Sequence, residues 1–466
     1  MLGIVLLAVV LIFPGAAAAE LARKPWPPIP PDGLSFIHYG EEHLDDEDGM
    51  RILPRVVRQS VRYRPDLVTM SGDKASDSSP ENLTGWRQTM DAFDKAGIPY
   101  FAAVGNHDRS APGTEGLGSI FAGGDFGTYS DTFADRAYPF GDAPPPNDPR
   151  FSPSERPPDD PAGASSHYAF SFGAVRWIVL DNSCFSFFNC DPFQSPPFPD
   201  AAGNSGTYDF LASEAATANE LGQLAFVVMH MPTQDPRPGH SQPTPSAHTM
   251  GEGTAPDNAQ FEQAAAAAGV DGVFLGHVKG MWKYTSQGVP YFTDGGAGGE
   301  VYVGSGEETG VDYGYWHGFR TISVRRGNVV TDAVPVFARN GIEITGPRSL
   351  EPGEVGRFSA VGQQPTEHGP DVMLELRDPD PTRPNVENLP SPARIWTTRN
   401  RRILSPIAAS IEDERRRFKR RQTVSGAFRA RCPGRTFIRV TSGWETERVP
   451  VRVEAAKGSP ATASCP

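Results

Sequence analysis

Gly105-Asn106-His107-Asp108 sets an amide oxygen, an imidazole and a carboxylate in consecutive positions. The tetrapeptide follows the apolar run Ile98 to Val104, which is short and bounded by Gly97 as a buried strand would be. A strand end bearing one hard ligand, one proton donor and one orienting acid is equipped for metal-assisted chemistry. Such a tetrapeptide also occurs in ordinary loops. The rest of the chain therefore decides whether it is a site.

Other strand ends carry ligand-type residues in order. Leu34 to His38 reads as a first strand that ends at Gly40-Glu41-Glu42-His43, before the acidic run Asp45 to Asp48. Asp66 to Met70 reads as a second strand, ending at Ser71-Gly72-Asp73. Leu224 to Met229 reads as a buried strand that ends on His230, and Gly272 to Leu275 ends on Gly276-His277-Val278-Lys279. Helical patterns lie between the early strands. Ile52, Leu53, Val56, Val57, Ser60 and Val61 form one stripe opposite Arg51, Arg55, Arg58 and Arg62; Trp86, Met90 and Phe93 mark a second helix. Strand–helix alternation with a polar group at each strand end is where open α/β sheets place their sites.

With these motifs in place, the chain resembles the calcineurin-like metallophosphoesterases over roughly Phe36 to Val324. The family pattern is Asp-x-His, Gly-Asp-x-x-Asp, Gly-Asn-His-Asp/Glu, a later His, and Gly-His-x-His. The resemblance implies a four-layer αββα sandwich over 34–337, with 109–166 as a long loop or lid insertion. It implies that Asp73 bridges two metals, that Asn106, His230 and His277 complete one metal site, and that Glu41 and His43 belong to the other. His107 would be the proton donor to the leaving group, oriented by Asp108. A phosphoester small molecule would be the substrate, with one or two divalent transition metals (Zn, Mn or Fe) per chain.

The chemistry accounts for these residue types independently. Phosphoester hydrolysis needs charge neutralised on phosphoryl oxygens and a water acidified to near-neutral pH. Mixed carboxylate, amide and imidazole donors suit zinc, manganese or iron. Three departures from the pattern stand out. Glu41 replaces an Asp; Asp77 falls one position late; and Lys279 stands where the last His belongs. Either Lys279 takes the place of the second metal, or it faces solvent and Glu42 or an Asp of the acidic run completes a two-metal site. A catalytically weak relative that binds a partner at the cell surface is the rival reading. His38, inside a strand, reads as structural, and His240 and His248 read as solvated loop residues. There is no Gly-x-Ser-x-Gly, Walker A or Rossmann fingerprint.

Composition bounds the rest. A 466-residue chain accommodates two or three domains, and a net charge of -13 argues against nucleic acid as a partner. Leu2 to Phe13 is apolar and followed by Ala17-Ala18-Ala19, so residues 1–19 read as a signal peptide, though without a positive n-region. Cys184, Cys190, Cys432 and Cys465 fit an oxidising compartment; 184–190 with 432–465 is the simplest of three connectivities. The expected location is secreted or cell-surface. Beyond Asn340 helical periodicity ends, and runs such as Glu447 to Val453 alternate. Residues 341–456 therefore read as a small all-β, immunoglobulin-like sandwich with a tail at 457–466, a candidate for cell-surface contact. The basic cluster within Arg415 to Arg421 reads as a solvated charged face.

Overall fold

The computed structural model describes residues 33–109, 151–153, 167–182, 206–234, 255–301, 314–337, 341–364, 372–375, 395–399, 402–406, 422–423, 426–442 and 445–455. The 1–19 segment expected to be a signal peptide, most of the expected 109–166 insertion, Cys184, Cys190, Cys465, His240, His248 and the 415–421 cluster lie outside the described residues.

In chain order the first lobe runs β1 (Gly33–Tyr39), α1 (Glu47–Tyr63), β2 (Leu67–Met70), α2 (Pro80–Ala96), β3 (Tyr100–Ala102), β4 (Phe151–Pro153), β5 (Tyr168–Phe172) and β6 (Val175–Val179). It continues through α3 (Gly206–Leu221), β7 (Leu224–Val228), α4 (Ala255–Ala268), β8 (Gly272–Leu275), β9 (Met281–Ser286), β10 (Val289–Asp294), β11 (Gly318–Arg325) and β12 (Asn328–Pro335). Local chemistry sets the helix ends. Ser79 caps α2 by accepting the Asn82 N–H at 3.3 Å, Pro80 opens the helix, and Gly97 closes it at a φ of 67°.

The strands form two sheets, ordered β12-β11-β1-β2-β3 and β4-β5-β6-β7-β8-β10-β9. Neighbouring residues on one strand go to opposite faces. Phe36 enters the core between the sheets while Ile37 enters the core under α1 and α2. Likewise Phe226 and Val228 face the first sheet, and Val227 faces α3 and α4. Strands buried on both faces need continuous apolar runs, which is why these carry no polar alternation. The inter-sheet core is aromatic, with Phe36 edge-on to Trp177 at 4.5 Å between centroids. The layers are helix, sheet, sheet, helix. β1, β2 and β3 run parallel, as do β6, β7 and β8. Their carboxyl ends therefore gather the motif residues on one side.

β4 lies inside the expected insertion and pairs antiparallel with β5, and β9 and β12 are hairpin partners of β10 and β11. β12 is an edge strand whose first three residues are exposed, so its sequence lacks a core-facing pattern. Asp66 does not open the second strand. It takes the Ser35 N–H at 2.8 Å and its hydroxyl at 3.1 Å, tying the entry of β2 to β1.

The second lobe comprises β13 (Ile342–Thr345), β14 (Ser349–Leu350), β15 (Val355–Arg357), β16 (Ser359–Gln364), β17 (Val372–Glu375), β18 (Ile395–Thr398), β19 (Leu404–Pro406), β20 (Gln422–Thr423), β21 (Ala427–Ala430), β22 (Gly434–Ser442) and β23 (Glu445–Val453). β13 pairs antiparallel with β16, after which the chain crosses at Gly346 and β14 pairs parallel with β23. One apolar cluster joins the lobes. It includes Trp282, Trp316 and Phe337 from the first lobe with Ile342, Phe358 and Val451 from the second. Among the described residues no helix is long and apolar enough to cross a membrane.

Candidate metal centre

The motif residues follow directly on strand ends, and several adopt left-handed backbone. Glu41 (φ 59°), Asp73 (φ 58°) and His277 (φ 65°) each turn the chain back over the sheet edge. A non-glycine residue there costs on the order of 1–2 kcal/mol, and such strain concentrates at functional sites. The loops are also pressed together. A Cβ on Gly105 would lie 2.1 Å from Asp73 Oδ1, so only glycine lets the β3 loop reach the β2 loop.

One half of the centre gathers Asp73, Asn106, His230 and His277. His230 Nδ1 lies 2.8 Å from the Ser71 carbonyl oxygen, an arrangement that needs a proton on Nδ1 and leaves the neutral ring's lone pair at Nε2. Facing Nε2 are Asn106 Oδ1 at 2.8 Å, Asp73 Oδ2 at 3.2 Å and His277 Nδ1 at 3.2 Å. Asn106 Oδ1 is also 3.0 Å from His277 Nδ1. Polar atoms thus converge on one point from four strand ends, where a proton on His230 Nε2 or a bound cation would offset their repulsion. Burial alone would lower the His230 imidazole. The charge and hydrogen bond of Asp73 and the charge of Glu41 outweigh it and lift the pKa to about 9. The residues present fit a transition metal.

The other half holds Glu41, His43, His107 and Lys279. His43 Nε2 is 3.2 Å from Glu41 Oε2 and 3.7 Å from Asp73 Oδ2. The second Glu41 oxygen accepts the His277 N–H at 2.6 Å, so Glu41 links the two halves. His43, Asp73 and His107 offer ligand atoms within 4.8 Å of one another, as do Asp73, His230 and His277; Asp73 is common to both groups. Lys279 is half-buried here. A Cβ on Gly299 would meet His43 Cδ2 at 2.8 Å and Lys279 Cε at 3.0 Å, so the lysine stem and the imidazole flank the same glycine. Burial and the Lys279 charge oppose protonation of His43, but its hydrogen bonds to Asp73 and Glu41 outweigh them and lift its pKa to about 9, whereas burial leaves the His107 pKa lowered. Neither Glu42 nor the acidic run joins this half. Asp46 approaches His43 from behind the ring, 3.5 Å from Nδ1, and Asp45 holds the Ser76 N–H and Asn82. Buried Asp48 lies 4.0 Å from His317, and the buried Glu42 carboxyl is pushed well above its usual range by desolvation.

The family model for calcineurin-like phosphoesterases matches residues 34–280, a segment that carries every one of these groups. The chain belongs to that family. No curated protein matches it. Among solved structures, the GAP50 anchor of the inner membrane complex of Plasmodium is 14% identical, with a TM-score of 0.43 over 65% of this chain and 85% of that one. A purple acid phosphatase from yellow lupin seeds is 14% identical, with a TM-score of 0.45 over 66% and 53%. A dimetal phosphatase from Danio rerio is 12% identical, with a TM-score of 0.37 over 64% and 95%. The family assignment rests on the matched segment, not on these neighbours.

Within this calcineurin-like phosphoesterase one expected role changes hands. Asp108 does not orient His107. Its carboxylate accepts the N–H groups of Asp73 (3.1 Å), Lys74 (3.0 Å) and Gly105 (2.8 Å) and pairs with Lys74 Nζ at 2.9 Å. The 3-10 turn at His107–Arg109 points the two neighbouring side chains apart, so Asp108 holds the left-handed Asp73 turn instead. The His107 ring is set by the Ser76 carbonyl, 2.8 Å from Nδ1, while the His107 backbone N–H donates to Asp73 Oδ1 at 2.8 Å. Asp77 accepts the Ser79 N–H and the Asn82 amide. His38 is structural, as expected, bound to Thr69 Oγ1 at 2.9 Å.

Proposed function

We propose that this chain is an exported, metal-dependent phosphoesterase that hydrolyses a phosphate mono- or diester of a small molecule. The observation that carries the reading is the convergence of Asn106 Oδ1, Asp73 Oδ2 and His277 Nδ1 on His230 Nε2. These four residues would hold a divalent transition metal; when bound, it supplies Lewis acidity toward phosphoryl oxygens and acidifies a water. In the reaction a water oxygen forms a bond to phosphorus and releases its proton to solvent as the bond to the leaving oxygen breaks. Burial lowers the His107 pKa, so its imidazolium, the form that gives the leaving oxygen a proton from Nε2, becomes more populated as pH falls, and the Ser76 carbonyl keeps the remaining proton on Nδ1.

In the second half Lys279 supplies the positive charge in place of a second ion. To ligate, a lysine must lose a proton from an unperturbed pKa of about 10.4, which costs roughly 4–5 kcal/mol at pH 7. A retained ammonium close enough to act on His43 and His107 would repel a second dication by several kcal/mol at an effective dielectric near 20. It is also placed to attract a phosphoryl oxygen. The test is metal per chain by elemental analysis, with hydrolysis of an aryl phosphate monoester and diester across zinc, manganese and iron. Lys279→His should raise bound metal from about one to about two per chain. Two ions already present in the unmodified protein would remove the substitute-cation role. No metal-dependent turnover of either ester would favour the partner-binding relative.

Export is the reading of the 1–19 segment, and the proposed pairing of Cys432 with Cys465 is what an oxidising compartment would produce. The crossing from the β13 pairing to the β14 pairing supports an immunoglobulin-like second lobe, which we propose as the cell-surface contact. Peptide mapping of unreduced exported protein checks the compartment; four free thiols would contradict it.

A further inference from the structure

Asn182 lies just past the end of β6 and is fully buried. The last backbone bond linking this end of β6 to β7 is Leu180 N–H to Val228 carbonyl, at 2.9 Å. Asn182 continues the ladder with its side chain. Its Oδ1 accepts the N–H of His230 and that of Met231, each at 2.9 Å, and its Nδ2 donates to the Met231 carbonyl at 2.8 Å. The bonds fix the amide orientation, because two donors face one atom and an acceptor faces the other.

His230 is thereby gripped on three sides. Asn182 takes its N–H, the Gly276 N–H takes its carbonyl at 2.9 Å, and the Ser71 carbonyl takes its Nδ1 at 2.8 Å. The Gly276 bond ties His230 to the strand end bearing His277, and the Ser71 bond ties it to the strand end bearing Asp73. The Asn182 bond is the one made by a side chain, and it sets the path by which the chain leaves β7. Without it, the His230 and Met231 backbone could rotate, and Nε2 would leave the point where Asn106 and Asp73 converge.

We infer that Asn182 is a positioning residue for metal binding, acting through the backbone of His230. The inference rests on the proposed ligand role of His230. Groups that orient a ligand from outside the coordination shell typically change metal affinity about 10–100-fold. The experiment measures zinc affinity by chelator competition on the full folded chain in three variants. Asn182→Ala should weaken zinc binding about 10–100-fold. Asn182→Asp keeps both acceptor bonds and loses only the donor, so it should recover part of that loss; it also serves if the alanine variant does not fold. His230→Ala should lose the ion. Unchanged zinc affinity in Asn182→Ala, or equal losses in the Ala and Asp variants, would overturn the inference while leaving the ligand assignment intact. Retention of zinc by His230→Ala would overturn the ligand assignment and, with it, this inference.

Discussion

His107 and Asp108 are adjacent in sequence but serve different partners. Asp108, with Lys74, forms a fully buried ion pair. Burying two charges is costly unless their remaining bonds are made, and here three backbone N–H groups complete the carboxylate. The arrangement clamps Asp73 in its left-handed turn and leaves the His107 ring to the Ser76 carbonyl, so in the proposed proton-donor role His107 would act without an orienting carboxylate. His107→Ala should therefore leave bound metal unchanged while lowering kcat on the order of 10²–10⁴. The loss should be greatest for alkyl esters, whose leaving oxygen needs a proton, and least for an activated aryl ester. Equal losses on both substrates would remove the proton-donor role.

At the scale of the elements, the strands do more than carry residues to one edge. β1 buries His38 between the sheets, next to Thr69 of β2 and Phe274 of β8. Burial and the charge of Arg320 push its pKa from 6.5 to about 3. His317, before β11, is lowered by burial to about 4. Both are neutral in the folded protein, whereas the unfolded chain takes up protons below about pH 6.5. The unfolded state then binds more protons, so the stabilisation is full above pH 6.5 and is lost as pH falls toward 4. Each histidine should contribute a slope of about 1.4 kcal/mol per pH unit across that window. Urea unfolding with chelator present, from pH 6.5 to 4.5, should show the slope reduced by about that amount in His38→Gln. An unchanged slope would mean that His38 is already solvated or protonated in the fold.

Across the whole molecule, the two lobes share a core. Gln364 of β16 is fully buried; its Oε1 accepts the His317 N–H at 2.9 Å, and its Nε2 donates to the His317 carbonyl at 2.6 Å and the Val336 carbonyl at 2.8 Å. These bonds satisfy the backbone leading into β11 and leaving β12, beside Trp316 and Phe337. Gln364→Ala would leave buried backbone groups unpaired, at a cost of about 1–3 kcal/mol each. The expected result in scanning calorimetry is one unfolding transition at a lower midpoint. Two transitions in the unmodified protein, with the substitution moving only one, would show that the lobes fold independently.

The sequence by itself determined the framework and the donor set. Apolar runs ending in Glu41, Asp73, Asn106, His230 and His277 specify buried strands with polar ends, because strand and helix periods are local properties of the chain. Parallel strands then bring those ends to one side whatever the details of packing. Which atoms face each other was decided by the tertiary structure. The Ser76 carbonyl meets His107 from 31 residues away, and the Asn182 amide meets His230 and Met231 from 48 and 49 away. Neither carries a local signal, since a backbone carbonyl has no side-chain signature and one asparagine after a strand reads as a turn. The same holds for Glu42, which sits between two site residues in sequence yet is fully buried, where desolvation raises its pKa. Strand register and left-handed backbone choose the facing partners, and both depend on contacts far apart along the chain.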